Sequence, residues 1–269
     1  MPPWRPEGES KSSDGKVTSG WFLDKGRRPN MEDRVDVRFY DDKVLGESVG
    51  WFGCYDGHGG DGCVNFVTQH LFKAVTNNPK FCMDVHSALT HGFVETDQNY
   101  MRSDAGRMRD DGCTGALALL IGNRLLLAHC GDCRIVLSRA GKAKQLTSDH
   151  KPNRDDERER IEKAGGVVAF VGTWRVGGVL AVSRAFGDRN LKKYVVAIPE
   201  LSEESLGPTD DFIVMGSDGI WDVLSNQEAV DLVRDITDPK AAAKKVIEEA
   251  LERGTNDNVS CVVTRFHFA

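Results

Sequence analysis

Asp56 and His58 directly follow a short apolar run at residues 51–55 and precede two glycines. The run predicts a buried strand, and the glycines predict a tight turn in which the backbone can approach a ligand closely. Asp56 offers a hard oxygen to a divalent cation, the carbonyl of Gly57 can be a second ligand, and the His58 imidazole titrates near neutral pH. One turn could therefore hold a metal ion and donate a proton, although the same residues alone could also form a plain hairpin turn.

Other carboxylates stand at the ends of apolar runs that are far apart in the sequence. A buried strand is predicted for residues 212–217, and it stops at a second Asp-Gly pair, which begins with Asp218. Asp257 precedes the last predicted strand of the chain. Glu32 and Asp33 lie in a charged segment between two predicted strands, where they could equally belong to a solvated loop.

These strand ends predict a cluster of carboxylates. Carboxylates gathered in a low-dielectric site repel one another by several kcal/mol unless divalent cations compensate their charge. Ligand sets made only of oxygen favour Mg²⁺ or Mn²⁺ over Zn²⁺. Two such ions about 3.5–4 Å apart can share a hydroxide and bind a phosphoryl group for in-line attack. The residues therefore point to phosphoester hydrolysis.

Some further candidates are weaker when taken alone. Cys130 and Cys133 form a CxxC preceded by His129, but no second pair follows at a spacing typical of zinc sites. Asp132 lies in a glycine-containing turn, where aspartate is common for local hydrogen bonding alone. Asp222 follows shortly after the second Asp-Gly pair.

Composition limits the class of protein. The chain has 269 residues, of which 41 are acidic and 35 basic, and its net charge of −6 argues against nucleic acid as the main partner. The seven cysteines lie mostly in apolar segments, which indicates reduced thiols rather than a disulfide framework. We find neither a signal sequence nor an apolar run of membrane length, and expect a cytoplasmic or nuclear protein without a membrane partner.

The length of the chain suits one large domain. Residues 1–16 are polar and rich in proline and serine, and they predict a disordered arm. Residues 17–269 are then expected to form a single catalytic domain.

Local patterns predict most of the secondary structure of this domain. Helical spacing of apolar residues predicts two helices after the Asp-Gly-His turn and two more at residues 226–234 and 238–253. Three short strands with tight turns between residues 114 and 139 predict an antiparallel meander. The glycine-rich residues 167–180 predict irregular structure, which we interpret as a flap over the site, and a buried strand is predicted at residues 179–182.

The chemistry-bearing segments, taken together, resemble a known family. Their order is similar to that in the PPM family, the metal-dependent protein serine/threonine phosphatases of type 2C, and the resemblance extends from about residue 17 to residue 268. Its six motifs are Arg28 with Met31-Glu32-Asp33, YDGHGG at 55–60, GDCR at 131–134, SRAFGD at 183–188, SDGIWD at 217–222 and DNVS at 257–260.

The resemblance implies an α+β fold, in which a central sandwich of two antiparallel β-sheets is flanked by α-helices on both outer faces, giving four αββα layers. It implies hydrolysis of phosphoserine and phosphothreonine in proteins by a hydroxide that bridges two ions of Mn²⁺ or Mg²⁺, without a phosphoenzyme. Phosphorylated proteins would be the partners, and a monomer is expected.

The resemblance also implies which residues hold the two ions. Asp56 resembles the carboxylate that bridges them, and the Gly57 carbonyl resembles a ligand of one ion. Asp218 and Asp257 resemble ligands of the other ion.

Four more acids match positions that contribute less directly. Glu32 and Asp33 resemble the acids that act through water molecules on the ions. Asp132 and Asp222, together with Asp218, match a weaker third metal site.

Arg28 resembles the arginine that holds the phosphate, for which a bidentate guanidinium is suited. His58 resembles the general acid that protonates the leaving serine or threonine oxygen. Cys113 and Cys133 replace serines that are usual in two motifs, which leaves every predicted ligand in place but puts two thiols near the site.

Two rival functions are compatible with parts of the pattern. A catalytically silent member would bind partners through the same fold, but such a protein would not need the complete set of ligands. A metal-dependent nuclease or a small-molecule phosphatase would share the chemistry, but would be expected to show a basic track or a closed specificity pocket.

Overall fold

A computed structural model describes residues 6–42 and 44–267. Its strands are, in chain order, β1 (Glu7–Lys11), β2 (Val17–Asp24), β3 (Arg34–Asp42), β4 (Glu47–Tyr55), β5 (Gly57–His58), β6 (Gly112–Cys113), β7 (Gly115–Ile121), β8 (Arg124–Cys130), β9 (Arg134–Arg139), β10 (Lys142–Gln145), β11 (Val168–Val171), β12 (Thr173–Val176), β13 (Phe186–Gly187), β14 (Glu200–Ser205), β15 (Asp210–Gly216) and β16 (Val259–Phe266).

The α-helices of the described residues are α1 (Gly62–Thr76), α2 (Val85–Arg102), α3 (Asp104–Met108), α4 (Asp155–Lys163), α5 (Asp218–Trp221), α6 (Asn226–Val233) and α7 (Pro239–Glu252), and one 3₁₀ turn covers Arg189–Leu191. Local capping sets several helix starts. The Asp238 side chain accepts from the Lys240 N–H at the start of α7, whose first residue is proline, as the sequence predicts.

Two antiparallel sheets form the centre of the fold. One has six strands in the order β1-β2-β16-β15-β9-β10, and the other has five in the order β14-β8-β7-β4-β3. Alternate residues of a strand point to opposite faces, so Phe52 of β4 packs between the two sheets while Trp51 faces α1 and α2. The inner strands of each sheet are therefore buried on both faces, which explains their nearly continuous apolar runs.

Helices cover both outer faces of the sandwich. Val67 of α1 and Phe93 of α2 pack with Leu117 of the five-stranded sheet. On the opposite side, Val230 of α6 and Val246 of α7 pack with strand residues of the six-stranded sheet. The predicted four-layer αββα architecture is confirmed.

The prediction of a disordered arm at residues 1–16 is wrong for part of its length. β1 pairs with β2 over its whole length, and the Leu23 N–H donates to the Pro6 carbonyl at 2.8 Å. β1 contributes backbone hydrogen bonds rather than a buried apolar face, so a pattern based on hydrophobicity does not detect it. Residues 1–5 of the predicted arm lie outside the described residues.

The predicted meander is also wrong in one respect. β7 and β8 pair as expected, but β9 joins the other sheet, between β15 and β10. The chain crosses from one sheet to the other through Gly131, whose φ of 112° lies in the region that favours glycine.

The segment around residues 167–182 differs from its prediction as well. β11 and β12 form an antiparallel hairpin that packs on α4 through a small apolar cluster containing Ile161, Val168 and Val176. Residues 179–182 do not form the predicted strand; Leu180 makes only an isolated bridge to Val176. The glycines at the hairpin turns predict loop structure, so the sequence pattern does not reveal the two short strands.

A further small sheet lies beside the sandwich. It has three strands of two residues each, in the order β13-β6-β5, and so it joins three segments that are distant in sequence. None of the helices described here is long and apolar enough to cross a membrane. The cysteines are free thiols, as the composition predicts.

Candidate active site

The acidic residues meet because several strands end at the same edge of the sandwich. β15 ends just before Asp218, β16 begins shortly after Asp257, and β9 begins shortly after Asp132. These three strands are antiparallel neighbours, so the two starts and the one end share an edge. β4 of the facing sheet ends directly before Asp56. The sandwich thus brings carboxylates of both sheets together.

A pocket of about 390 Å³ opens at this edge. Most of the predicted site residues line it, namely Arg28, Glu32, Asp56, Gly57, His58, Asp132, Asp218 and Asp257. Thr114, Asn258 and Arg175 also line the pocket, although the sequence did not single them out as site residues.

Three of these carboxylates form a tight group. Asp56, Asp132 and Asp218 each offer an oxygen that lies within 4.8 Å of the other two. Burial raises the pKa of Asp56 well above its usual range, and the neighbouring carboxylates raise it further. Burial, followed by the charge of Asp132, likewise raises the pKa of Asp218 well above its usual range.

This group fits a divalent cation. Asp218 Oδ1 is buried and has no hydrogen-bond partner among the described residues. A buried carboxylate oxygen without a donor is costly, and a hard cation would supply the missing partner and remove the mutual repulsion. The donors are oxygens, which suits Mg²⁺ or Mn²⁺.

Asp33 lies behind the pocket and does not line it. The hydroxyls of Ser217 and Ser260 donate to its Oδ2 at 2.7 and 2.6 Å. Its Oδ1 is buried without a partner among the described residues. Burial raises the pKa of Asp33 to about 6, although the two hydroxyls act in the opposite direction. Asp33 therefore belongs to the same electrostatic cluster as the pocket acids.

At the third metal site predicted for Asp132, Asp218 and Asp222, the side chain of Lys151 occupies the position beside Asp132. The Lys151 ammonium lies 2.5 Å from Asp132 Oδ2, and its charge also lowers the pKa values of Asp218 and Asp222. Asp222 is exposed and outside the pocket. Its own pKa is raised by partial burial, with Asp132 acting in the same direction. The structure thus places Asp222 near Asp132, but not in the tight group.

Arg28 and Asp257 form an ion pair at the pocket wall, with Arg28 Nη2 2.7 Å from Asp257 Oδ2. The neighbouring Asn258 holds the loop that carries Arg28. Its Oδ1 accepts from the Glu32 N–H at 2.7 Å, and its Nδ2 donates to the carbonyls of Lys25 and Asn30. Asn258 thereby fixes this loop beside the pocket.

His58 is placed at the pocket by β5. Its Nε2 lies 2.8 Å from Asp188 Oδ1 and 3.0 Å from Asp188 Oδ2. Burial alone would lower the pKa of His58, whereas the Asp188 carboxylate raises it, and the net change is upward. Asp188 is the last residue of the SRAFGD motif, but nothing in the sequence pattern indicates this contact.

The hairpin of β11 and β12 borders the pocket through Arg175, so the segment interpreted as a flap does reach the site. Trp174 does not line the pocket. Its ring makes an edge contact with Phe170 at 5.5 Å between centroids, and the Arg158 guanidinium lies 5.8 Å from it. Trp174 therefore serves in packing.

A second group of possible metal ligands, His129, His150 and Glu200, lies outside the pocket. Its rings are stacked, with centroids 4.4 Å apart. The Gly131 N–H donates to His150 Nδ1 at 3.1 Å, so the proton of the neutral ring resides on Nε2, which faces Glu200 at 3.3 Å. A metal at Nε2 would have to displace that proton, so this group is better explained as a hydrogen-bonded structural cluster.

The CxxC near this group does not form a half-site for zinc. Cys130 and Cys133 are both buried, and their sulfurs contact different partners, the Val196 carbonyl and the Thr114 hydroxyl. Burial raises the pKa of the Cys130 thiol, which disfavours the thiolate that zinc would require.

Comparison with known proteins identifies the same family that the sequence motifs resemble. The family model described as protein phosphatase 2C matches residues 25–259. The chain belongs to the protein phosphatase 2C family. It is a serine/threonine phosphatase of a metal-dependent family, and the acidic group described above could hold metal.

Similar phosphatases span nearly the whole chain. "Probable protein phosphatase 2C 69" of Arabidopsis thaliana is 49% identical over 259 residues, which cover 96% of this phosphatase and 73% of the relative. "Probable protein phosphatase 2C 59" of Oryza sativa subsp. japonica is 48% identical over 255 residues, with coverage of 95% and 77%.

The fold also matches solved structures of phosphatases. The crystal structure of a serine-threonine phosphatase 2C from Toxoplasma gondii superposes with a TM-score of 0.88 at 21% identity, covering 99% of this chain and 100% of that one. At this identity the match concerns the fold.

Proposed function

We propose that this phosphatase hydrolyses phosphoserine and phosphothreonine in proteins with two divalent ions, Mn²⁺ or Mg²⁺, bound in the pocket. The observation that carries this proposal is the tight group of Asp56, Asp132 and Asp218, in which the raised pKa values of Asp56 and Asp218 mark a site that needs positive charge. Ions bound there would lower the pKa of a water molecule shared between them and neutralise phosphoryl oxygens.

The proposed ligands are those that the family resemblance implies, and all four residues line the pocket. Asp56 would contact both ions, the Gly57 carbonyl one of them, and Asp218 and Asp257 the other. Gly57 is suited to this role because a Cβ there would lie 2.6 Å from the Glu32 carbonyl oxygen, so only glycine allows this close backbone packing.

Further acids would support the ions less directly. Glu32 lines the pocket and Asp33 lies behind it, so both could orient water molecules at the ions. Asp132 and Asp222 would join Asp218 in a weaker third site once Lys151 moves away from Asp132.

His58 would protonate the leaving oxygen of serine or threonine. An alkoxide is a poor leaving group, so a proton donor at the pocket wall assists the step in which the ester bond breaks. No side chain is required to become phosphorylated, and no phosphoenzyme is proposed.

The expected partners are phosphorylated proteins. The net charge of −6 disfavours nucleic acid as a partner, and we propose a monomer without a membrane partner that works in the cytoplasm or nucleus.

The direct test is phosphate release from a phosphothreonine peptide. We expect activity to disappear after exhaustive chelation and to return with Mn²⁺ or Mg²⁺, because the acidic group cannot bind a phosphate without compensating cations. An inhibitor of other serine/threonine phosphatases serves as the control for contaminating enzymes. Full activity after chelation would contradict the proposal.

Arg28→Ala should mainly raise KM, because a guanidinium in the pocket binds the phosphate in the ground state and the transition state alike. Steady-state kinetics on the phosphothreonine peptide at saturating metal would measure the effect. Arg27→Ala is the matched control, since Arg27 donates to Asn256 beside the pocket but does not line it.

Arg28 also pairs with Asp257, so metal affinity must be measured in the same variants. A normal KM in the Arg28 variant would remove this residue from the phosphate site. A KM that is raised at limiting metal but normal at saturating metal would assign the effect to Asp257.

A further inference from the structure

The small three-stranded sheet determines which residue stands beside His58. β6 is its middle strand, and Gly112 of β6 pairs with His58 on one side and with Gly187 on the other. Asp188 is the next residue after Gly187. The register therefore brings Asp188 to His58 across a residue that has no side chain.

Gly112 leaves the space in which the two side chains meet. A Cβ at this position would lie 2.5 Å from His58 Nε2 and would overlap the Asp188 carboxylate. Any other residue at 112 would thus separate imidazole and carboxylate. The contact between His58 and Asp188 therefore requires glycine at position 112.

The backbone conformation of Asp188 also favours this contact. Asp188 has a φ of 51°, which a non-glycine residue adopts at a cost, and its N–H donates to the Asp111 carbonyl at 3.0 Å. It occupies the N-cap position of the 3₁₀ turn Arg189–Leu191, yet its side chain makes no cap hydrogen bond. Both carboxylate oxygens are instead directed to His58 Nε2.

The Asp188 side of the contact is sheltered from water. Asp188 is buried, whereas the His58 side chain is 28% exposed and reaches the pocket. A carboxylate that accepts from a ring N–H fixes the orientation of the imidazole and the location of its proton. With Nε2 occupied, Nδ1 is the ring nitrogen left for the substrate; it has no hydrogen-bond partner in the part of the chain that the structure describes.

We propose that Asp188 is the positioning residue of His58, holding the Nε2 proton so that His58 donates its Nδ1 proton to the leaving oxygen. This inference rests on the proposed role of His58 as the proton donor. As the bond between phosphorus and the serine or threonine oxygen breaks, the oxygen takes the bond pair and the Nδ1 proton. The ring becomes neutral with its remaining proton on Nε2, still bound to Asp188, and a proton from water later restores the imidazolium.

Asp188→Asn is the informative change. Asparagine keeps the shape of the side chain and tolerates a positive φ, but it carries no charge. We expect kcat on a phosphothreonine peptide to fall by at least about tenfold, and by no more than the roughly 10²–10⁴-fold that a general acid contributes in total. The loss on p-nitrophenyl phosphate should be much smaller, since p-nitrophenolate leaves without a proton.

A double-mutant cycle separates positioning from a merely structural contact. If Asp188 acts through His58, adding Asp188→Asn to His58→Ala should cause no further loss on the phosphopeptide. Equal losses on both substrates, or a further loss in the double variant, would overturn the proposal.

Asp110→Asn is the matched control, because Asp110 accepts from Asn190 in the same loop without contacting His58. It should leave the ratio of the two activities unchanged, and a ratio shifted as in Asp188→Asn would assign the effect to the loop.

A second measurement requires no variant. Ring ¹⁵N NMR of the Mg²⁺-loaded wild type should place the proton of neutral His58 on Nε2, and the opposite tautomer would overturn the proposal.

Failure of the proposed function would give different results. A wild type that does not hydrolyse the phosphopeptide, or a His58→Ala variant with equal losses on both substrates, would remove the function on which the inference rests. Asp188→Asn with wild-type kinetics beside a selective His58→Ala would overturn the inference alone.

Discussion

Asp56→Asn should lower kcat on a phosphopeptide by at least about 10³-fold, which corresponds to about 4 kcal/mol of transition-state stabilisation. Asp56 belongs to the tight acidic group and directly follows β4, so it is held rigidly where both proposed ions would bind. An amide oxygen is a weaker ligand than a carboxylate and cannot balance two divalent charges.

The same variant should be more stable than the wild type when metal is absent. The pKa of Asp56 is raised in the folded protein, so its ionisation costs stability as pH rises from the unfolded pKa, about 4, through the folded value. Asparagine removes that charge. The chelated variant should therefore melt at a higher temperature than the chelated wild type, by a margin that grows as pH rises above about 4.

Metal should reverse this order of stability. A ligand present at 100 times its Kd stabilises the folded state by about 2.7 kcal/mol, so the wild type should gain several degrees in Tm on adding Mn²⁺ or Mg²⁺ while the variant gains less. Asp61→Asn is the control, since Asp61 is exposed and outside the pocket. An Asp56 variant that keeps a tenth of the activity, or the full metal-induced rise in Tm, would disprove its role.

His58→Ala should lower kcat on a phosphothreonine peptide by about 10²–10⁴-fold, but should lower it far less on p-nitrophenyl phosphate. The difference arises because the alkoxide needs a proton as it leaves and the nitrophenolate does not. Both values of kcat would be measured at saturating metal, after Tm and metal affinity have been compared with those of the wild type.

His91→Ala provides the same substitution at an exposed position of α2 outside the pocket. It should leave both rates unchanged. If His58→Ala loses equally on both substrates, His58 holds the turn rather than donating a proton. His150 could not take its place, because His150 is fully buried and does not line the pocket.

The gathering of Asp56, Asp218 and Asp257 at one edge could be predicted from the sequence. Each stands where an apolar run stops or begins, and antiparallel neighbours alternate their starts and ends along an edge. Metal dependence then follows from the repulsion of the carboxylates. The topology of the sandwich came from the family resemblance, since strand patterns alone do not fix the order of strands.

Other features depend on contacts that a local pattern does not contain. β9 is a short apolar run like β7 and β8, and its membership of the other sheet depends on a crossing at Gly131. β1 is held by backbone pairing with little burial. Lys151 and Asp188 acquire their partners across gaps of 19 and 130 residues, so neither contact has a sequence signal.

β1 also affects how this protein would behave if it were shortened. The strand covers one edge of the six-stranded sheet and places the charged side chains of Glu7, Glu9 and Lys11 at the rim. A protein cut at residue 17, the boundary that composition suggests, would leave the hydrogen-bonding groups of β2 open to strands of other molecules. The segment that looks least structured in the sequence thus protects the fold from aggregation.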